Sequence, residues 1–79
     1  MKTSFRKHCE SLGIDLMRED VVYIKKALSQ LKQYNSRQIL ERYVEEWCNT
    51  MRLEKNELKK MNAGRKQANM FLTNLLIKH

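Results

Sequence analysis

The chain contains no proline, only two glycines (Gly13 and Gly64) and only two cysteines (Cys9 and Cys48) in 79 residues. Its longest aliphatic run is Leu75, Leu76 and Ile77. Each scarcity excludes something. Without proline, and with few glycines, little interrupts a helix, while Leu, Lys, Glu, Gln, Met and Arg are abundant and favour one. β structure is not expected. A three-residue aliphatic run falls far short of the roughly 18 to 20 apolar residues that cross a bilayer, so no membrane-spanning segment is predicted. The cysteines lie far apart, and no charged-then-apolar signal region precedes them. A secreted disulfide scaffold is therefore not indicated, and a reducing, cytoplasmic setting is expected.

Acidic residues are also scarce. Nine Asp and Glu face sixteen Lys and Arg, for a net charge of +7, with a pI near 9.7. This balance favours anionic partners, whether nucleic acid, an acidic protein surface or anionic lipid. Hydrophobic residues make up 42% of the chain, enough for a core and too many for a disordered segment. A single domain of this size buries only about 60 to 65% of its unfolded surface. A homodimer is one way to extend so small a core.

Helical periodicity divides the chain into four predicted elements, 3–12, 16–33, 36–53 and 57–77, an all-α bundle with the third helix at its centre. The first places Phe5, Cys9 and Leu12 on one face, with Thr3 or Ser4 as its cap. Gly13 followed by Ile14 has the pattern of a left-handed C-terminal cap. Asp15 is the expected N-cap of the second helix, in which Val21, Ile24, Ala27, Leu28, Leu31 and Tyr34 share an arc. In YNSRQI, Asn35 caps the third helix, Gln38 can reach back to it, and Tyr34 and Ile39 occupy hydrophobic-staple positions. Ile39, Leu40, Tyr43, Val44, Trp47, Cys48 and Met51 then cover about half the cylinder, too wide for a helix with a single neighbour.

The apolar repeat continues beyond residue 51, so one helix from 36 to 77 has to be weighed. It would measure about 63 Å, more than two short helices could cover in a monomer. A break near Leu53 to Asn56 is preferred, with Asn56 before the new helix. Along that last helix, Leu58, Met61, Gly64, Ala68, Phe71, Leu72, Leu75 and Leu76 form a packing arc. Gly64 precedes an Arg-Lys pair, but the second glycine and Lys-Ser or Lys-Thr of a P-loop are missing. Gly64 and Ala68 are read as a notch that lets another helix come close.

The opposite arc carries the strongest functional signal. Between residues 52 and 66 there are six basic residues (Arg52, Lys55, Lys59, Lys60, Arg65 and Lys66) against Glu54 and Glu57. These six, with Lys25 and Lys32 of the second helix, form the candidate nucleic-acid-binding set, suited to phosphate contacts without sequence readout. Reading the second and third helices as a helix-turn-helix, led by Ser36, Arg37, Gln38 and Arg42, is opposed by Glu41, Glu45 and Glu46 on the same surface.

His8, Cys9, Cys48 and His79 contain no CxxC or HxxxH spacing, so no metal site is expected. No cofactor motif occurs, and adjacent His8 and Cys9 point about 100° apart on a helix. The expectation is a non-catalytic basic module that associates with nucleic acid. The alternative is a protein-interaction or regulatory adaptor, including a homodimer, whose partner surface is acidic or apolar.

Overall fold

The computed structural model describes residues 3–78, with side chains described from Phe5 onward. Capping by Thr3 or Ser4, and His79 as a ligand, lie outside the described residues. Four helices are present among these residues, α1 (Thr3–Ser11), α2 (Arg18–Gln30), α3 (Ser36–Leu53) and α4 (Lys60–Ile77), and no strand. The fold is the expected all-α bundle. Both cysteines are free thiols, and no described helix is long and apolar enough to cross a membrane.

The exit from α1 follows the sequence pattern closely. Gly13 adopts φ 78°. Its N–H donates to the Glu10 carbonyl at 3.0 Å, and the Ile14 N–H donates to Cys9 at 2.9 Å. These are the two bonds of a Schellman cap, which satisfies carbonyls the helix end would otherwise leave unpaired. Ile14 then folds back into the core beside Cys9.

α2 is shorter at both ends than expected. Its N-cap position is Met17 rather than Asp15, and the Met17 N–H donates to Asp20 Oδ2 at 2.9 Å. The physical reason is burial. Ile14 and Leu16 both enter the core from a non-helical segment, and extended backbone delivers alternating side chains to one side where a helix would rotate them apart. At the other end, the Leu31 N–H is shared between the carbonyls of Ala27 and Leu28. Leu31 is buried, and the chain turns there instead of at residue 33. Tyr34, expected on the packed arc, is exposed.

α3 has the expected bounds. Asn35 Oδ1 accepts from the N–H groups of Arg37 (2.9 Å) and Gln38 (3.3 Å), satisfying two first-turn donors. Ile39, Tyr43, Val44 and Trp47 are buried, while Leu40, Cys48 and Met51 pack half-buried against the core. This wide apolar face packs along α4, the principal neighbour of α3, and α4 in turn also packs against α2.

The break between α3 and α4 is present, so the continuous helix is excluded. Glu54 Oε2 accepts from the Asn56 N–H at 3.1 Å, and Asn56 Oδ1 accepts from the Leu58 N–H at 2.9 Å. The Lys59 N–H closes the turn onto the Asn56 carbonyl at 3.0 Å. Asn56 thus caps one isolated turn, and α4 starts at Lys60 rather than 57. Leu58, assigned to the packing arc by periodicity, is instead 91% exposed, because it belongs to that turn and not to the helix.

The notch reading of Gly64 holds. Gly64, Ala68 and Leu72 are the buried residues of α4. A Cβ on Gly64 would lie 2.6 Å from Trp47 Nε1 and closer still to Cδ1. The missing side chain is what allows the indole to be buried completely.

Candidate nucleic-acid interface

The interior beside the notch is polar as well as apolar. Asp20 is buried, and its Oδ2 accepts from Arg65 Nε at 2.8 Å as well as from the Met17 N–H. Arg65 also donates to the Asp15 carbonyl (2.7 Å) and Asn62 Oδ1 (2.8 Å), and its guanidinium lies 5.2 Å from the Trp47 ring centre. Asn69 Nδ2 reaches Asp20 Oδ1 at 3.4 Å, and the Tyr43 hydroxyl donates to Asn69 Oδ1 at 2.8 Å. One network therefore joins α2, α3 and α4. A buried charge is tolerable only when so partnered.

Burial, with Asp20 as the next cause, holds the Tyr43 phenol well above the ordinary tyrosine range. Burial likewise pushes the Cys9 thiol from 9.0 up to about 11, with smaller contributions from Cys48 and Glu10. Both groups are thus kept neutral. Trp47 Nε1 is buried without a hydrogen-bond partner among the described residues, which costs about 1–3 kcal/mol in general. Its ring is held instead by packing and by the cation above it.

This network divides the predicted basic set. Arg65 is turned inward and acts as the structural counterion of Asp20. Lys60 is half-buried and pairs with Glu57 at 3.3 Å. Arg52, Lys55, Lys59 and Lys66 are exposed; Arg52 additionally donates to Asn49 Oδ1, and the three lysines make no ion pair among the described residues. Three of these four cations lie at the end of α3 or in the connection to α4, and Lys66 follows on the outer side of α4.

Lys25 and Lys32 are exposed too, but they do not join this group. α2 advances from Asp20, opposite Arg65, to Tyr23, whose hydroxyl bonds Thr73. Its later residues therefore run toward the C-terminal end of α4, away from the connection. Lys25 is also rotated about 200° from Tyr23, on the flank opposite that contact, and Lys32 lies in the turn that follows α2.

Asp20 and Asn69 are the residues that sequence reasoning missed. A signal existed for Asp20, because Asp20, Ile24, Ala27 and Leu31 share one helical face. Asn69 had none, since periodicity sets it on the outer arc with Lys59, Lys66 and Thr73, whereas in the fold its side chain turns inward to Tyr43 and Asp20.

An open groove of about 380 Å³ lies between α1 and α3, with Phe5, Leu40 and Val44 as its apolar surface and His8, Arg37 and Glu41 beside them. No group of three or more His, Cys, Asp or Glu able to hold a metal ion occurs among the described residues. Compared with protein-family models, curated proteins and solved structures, the chain shows no match.

Proposed function

We propose that the protein is a non-catalytic, cytoplasmic module that associates with nucleic acid through Arg52, Lys55, Lys59 and Lys66. The observation that carries this reading is the exposure of these four cations within one short segment, while the nearby acid Glu57 is already paired with Lys60. Such a surface attracts phosphate oxygens and confers affinity without base readout. Arg65 is left out because its guanidinium is committed to Asp20.

Titrating mixed-sequence DNA and RNA against salt tests the reading. Four phosphate contacts predict that log K falls with log salt at a slope of about −3 to −4. Lys59→Glu with Lys66→Glu should abolish binding while leaving the helical signal intact. No measurable binding at low salt would overturn the proposal.

A second reading rests on a different observation. Leu53 and Leu58, at the two ends of the same basic connection, are 80% and 91% exposed. Phosphates gain nothing from leucine, whereas an acidic protein surface with apolar pockets would use both kinds of side chain. Leu53→Ser with Leu58→Ser separates the two: nucleic-acid affinity stays unchanged under the first reading, and capture of an acidic protein partner is lost under the second.

A further inference from the structure

The basic character of the surface stops abruptly at Lys66. The next eleven residues, Gln67 to Ile77, carry no charge and form the longest uncharged stretch of a +7 chain. They are not simply core. Met70 is 47% exposed and Ile77 75% exposed, and both lie within about 60° of Thr73 around the helix. Thr73 bonds the Tyr23 hydroxyl, and Val22, next to Tyr23, is 57% exposed. Three exposed apolar side chains thus surround one contact between α2 and α4.

We infer that this neutral face, Val22, Met70 and Ile77 about the Tyr23–Thr73 bond, is where a second copy of the chain docks to form a two-fold dimer. Charge selects the occupant. Two chains of +7 repel each other across most approaches, and the charge-free half of α4 lowers that repulsion on its side of the face, while on the α2 side Arg18 and Lys26 line the surface beside Val22 together with Glu19. The nearby α2 face is self-complementary as well. Glu19 and Lys26 are seven residues apart, on one side of the helix and symmetric about the Val22–Tyr23 pair. A two-fold axis there sets Glu19 of each copy against the partner's Lys26, twice over. The dimer leaves Arg52, Lys55 and Lys59 free, whereas Lys66, four residues before Met70 on the same side of α4, lies at its edge.

Sedimentation equilibrium from about 1 μM to about 1 mM tests it. The wild type should rise from its monomer mass of 9.5 kDa toward twice that value. Met70→Lys with Ile77→Lys should remain monomeric throughout with an unchanged helical signal, since both positions are exposed. Glu19→Lys should weaken association about 10-fold, and adding Lys26→Glu should restore it. Leu53→Ser with Leu58→Ser should associate like the wild type. A wild type that stays monomeric at the highest concentration overturns the inference and leaves the face to a different protein. Undiminished association of the double-lysine variant, loss of association in the Leu53/Leu58 variant, or failure of the Lys26→Glu rescue also overturns it.

Discussion

The two glycines stand in regions that need them for opposite reasons. At Gly13 the backbone is left-handed, and a Cβ would meet nothing within 4 Å. At Gly64 the backbone is ordinary helix, and a Cβ would strike the Trp47 indole. The first glycine supplies a conformation and the second supplies a vacancy. The comparison teaches that a turn can be read locally, whereas a notch acquires meaning only from what fills it.

The largest effect should come from filling the notch. Gly64→Leu is expected to cost more than about 4 kcal/mol, a large share of the 5–15 kcal/mol that holds a typical domain. Chemical denaturation would show a lost or severely shifted transition, and an unshifted one would mean that the Gly64–Trp47 contact is misplaced. Gly64→Ala sharpens the point. Its overpacking, about 1–3 kcal/mol, should be partly offset by the roughly 1 kcal/mol that alanine gains in a helix. In a Trp47→Phe background the clash should shrink, and a double-mutant cycle measures by how much.

Next in size is the network beside the notch. Asp20→Ala leaves the part-buried Arg65 without its counterion and the Met17 N–H without its acceptor. A loss of about 3–5 kcal/mol is expected, measured by the same denaturation. A cost near that of an exposed-residue change would show that Arg65 finds water instead.

The α1 exit should be sensitive to alkali. Cys9, whose carbonyl anchors the Schellman cap, has a thiol pKa raised from 9.0 to about 11. A raised folded-state value means that the unfolded chain deprotonates first. The contribution is therefore fully present below pH 9 and is lost as pH rises toward 11. About 2 kcal/mol should disappear across that window, with Tyr43 acting in the same direction. Cys9→Ala should flatten the decline measured by thermal melting at successive pH values.

The smallest effect belongs to Gly13 itself. Gly13→Ala should cost about 1–2 kcal/mol through the left-handed backbone alone, and Gly13→Asn less, because Asn tolerates that region. If Gly13→Ala approached Gly64→Leu in cost, the contrast between conformation and vacancy would fail.

Much of this architecture was legible because its causes are local. Asn35 lies within reach of the N–H groups it caps, and α3 begins and ends at the expected residues. The break before α4 was legible from Glu54 on the apolar seam, but the α4 start was not. Asn56 has the same cap chemistry whether a full helix or one turn follows it. α2 was read too long because periodicity counts Leu16 and Leu31 as helical apolar positions. In the fold both are buried without being helical.

The basic segment shows the same division at single-residue scale. Arg65 and Lys66 are adjacent in sequence and equal in formal charge, yet Arg65 pairs with Asp20 while Lys66 is exposed. Composition, charge, the Asn35 cap, the Gly13 turn and the small-residue notch follow from the sequence, because each depends on neighbours within a few positions. Which cation turns inward, which carboxylate is buried, and what occupies the notch are decided by the packing of α2, α3 and α4. Asp20 and Arg65, 45 residues apart in the chain, become neighbours only when those three helices meet.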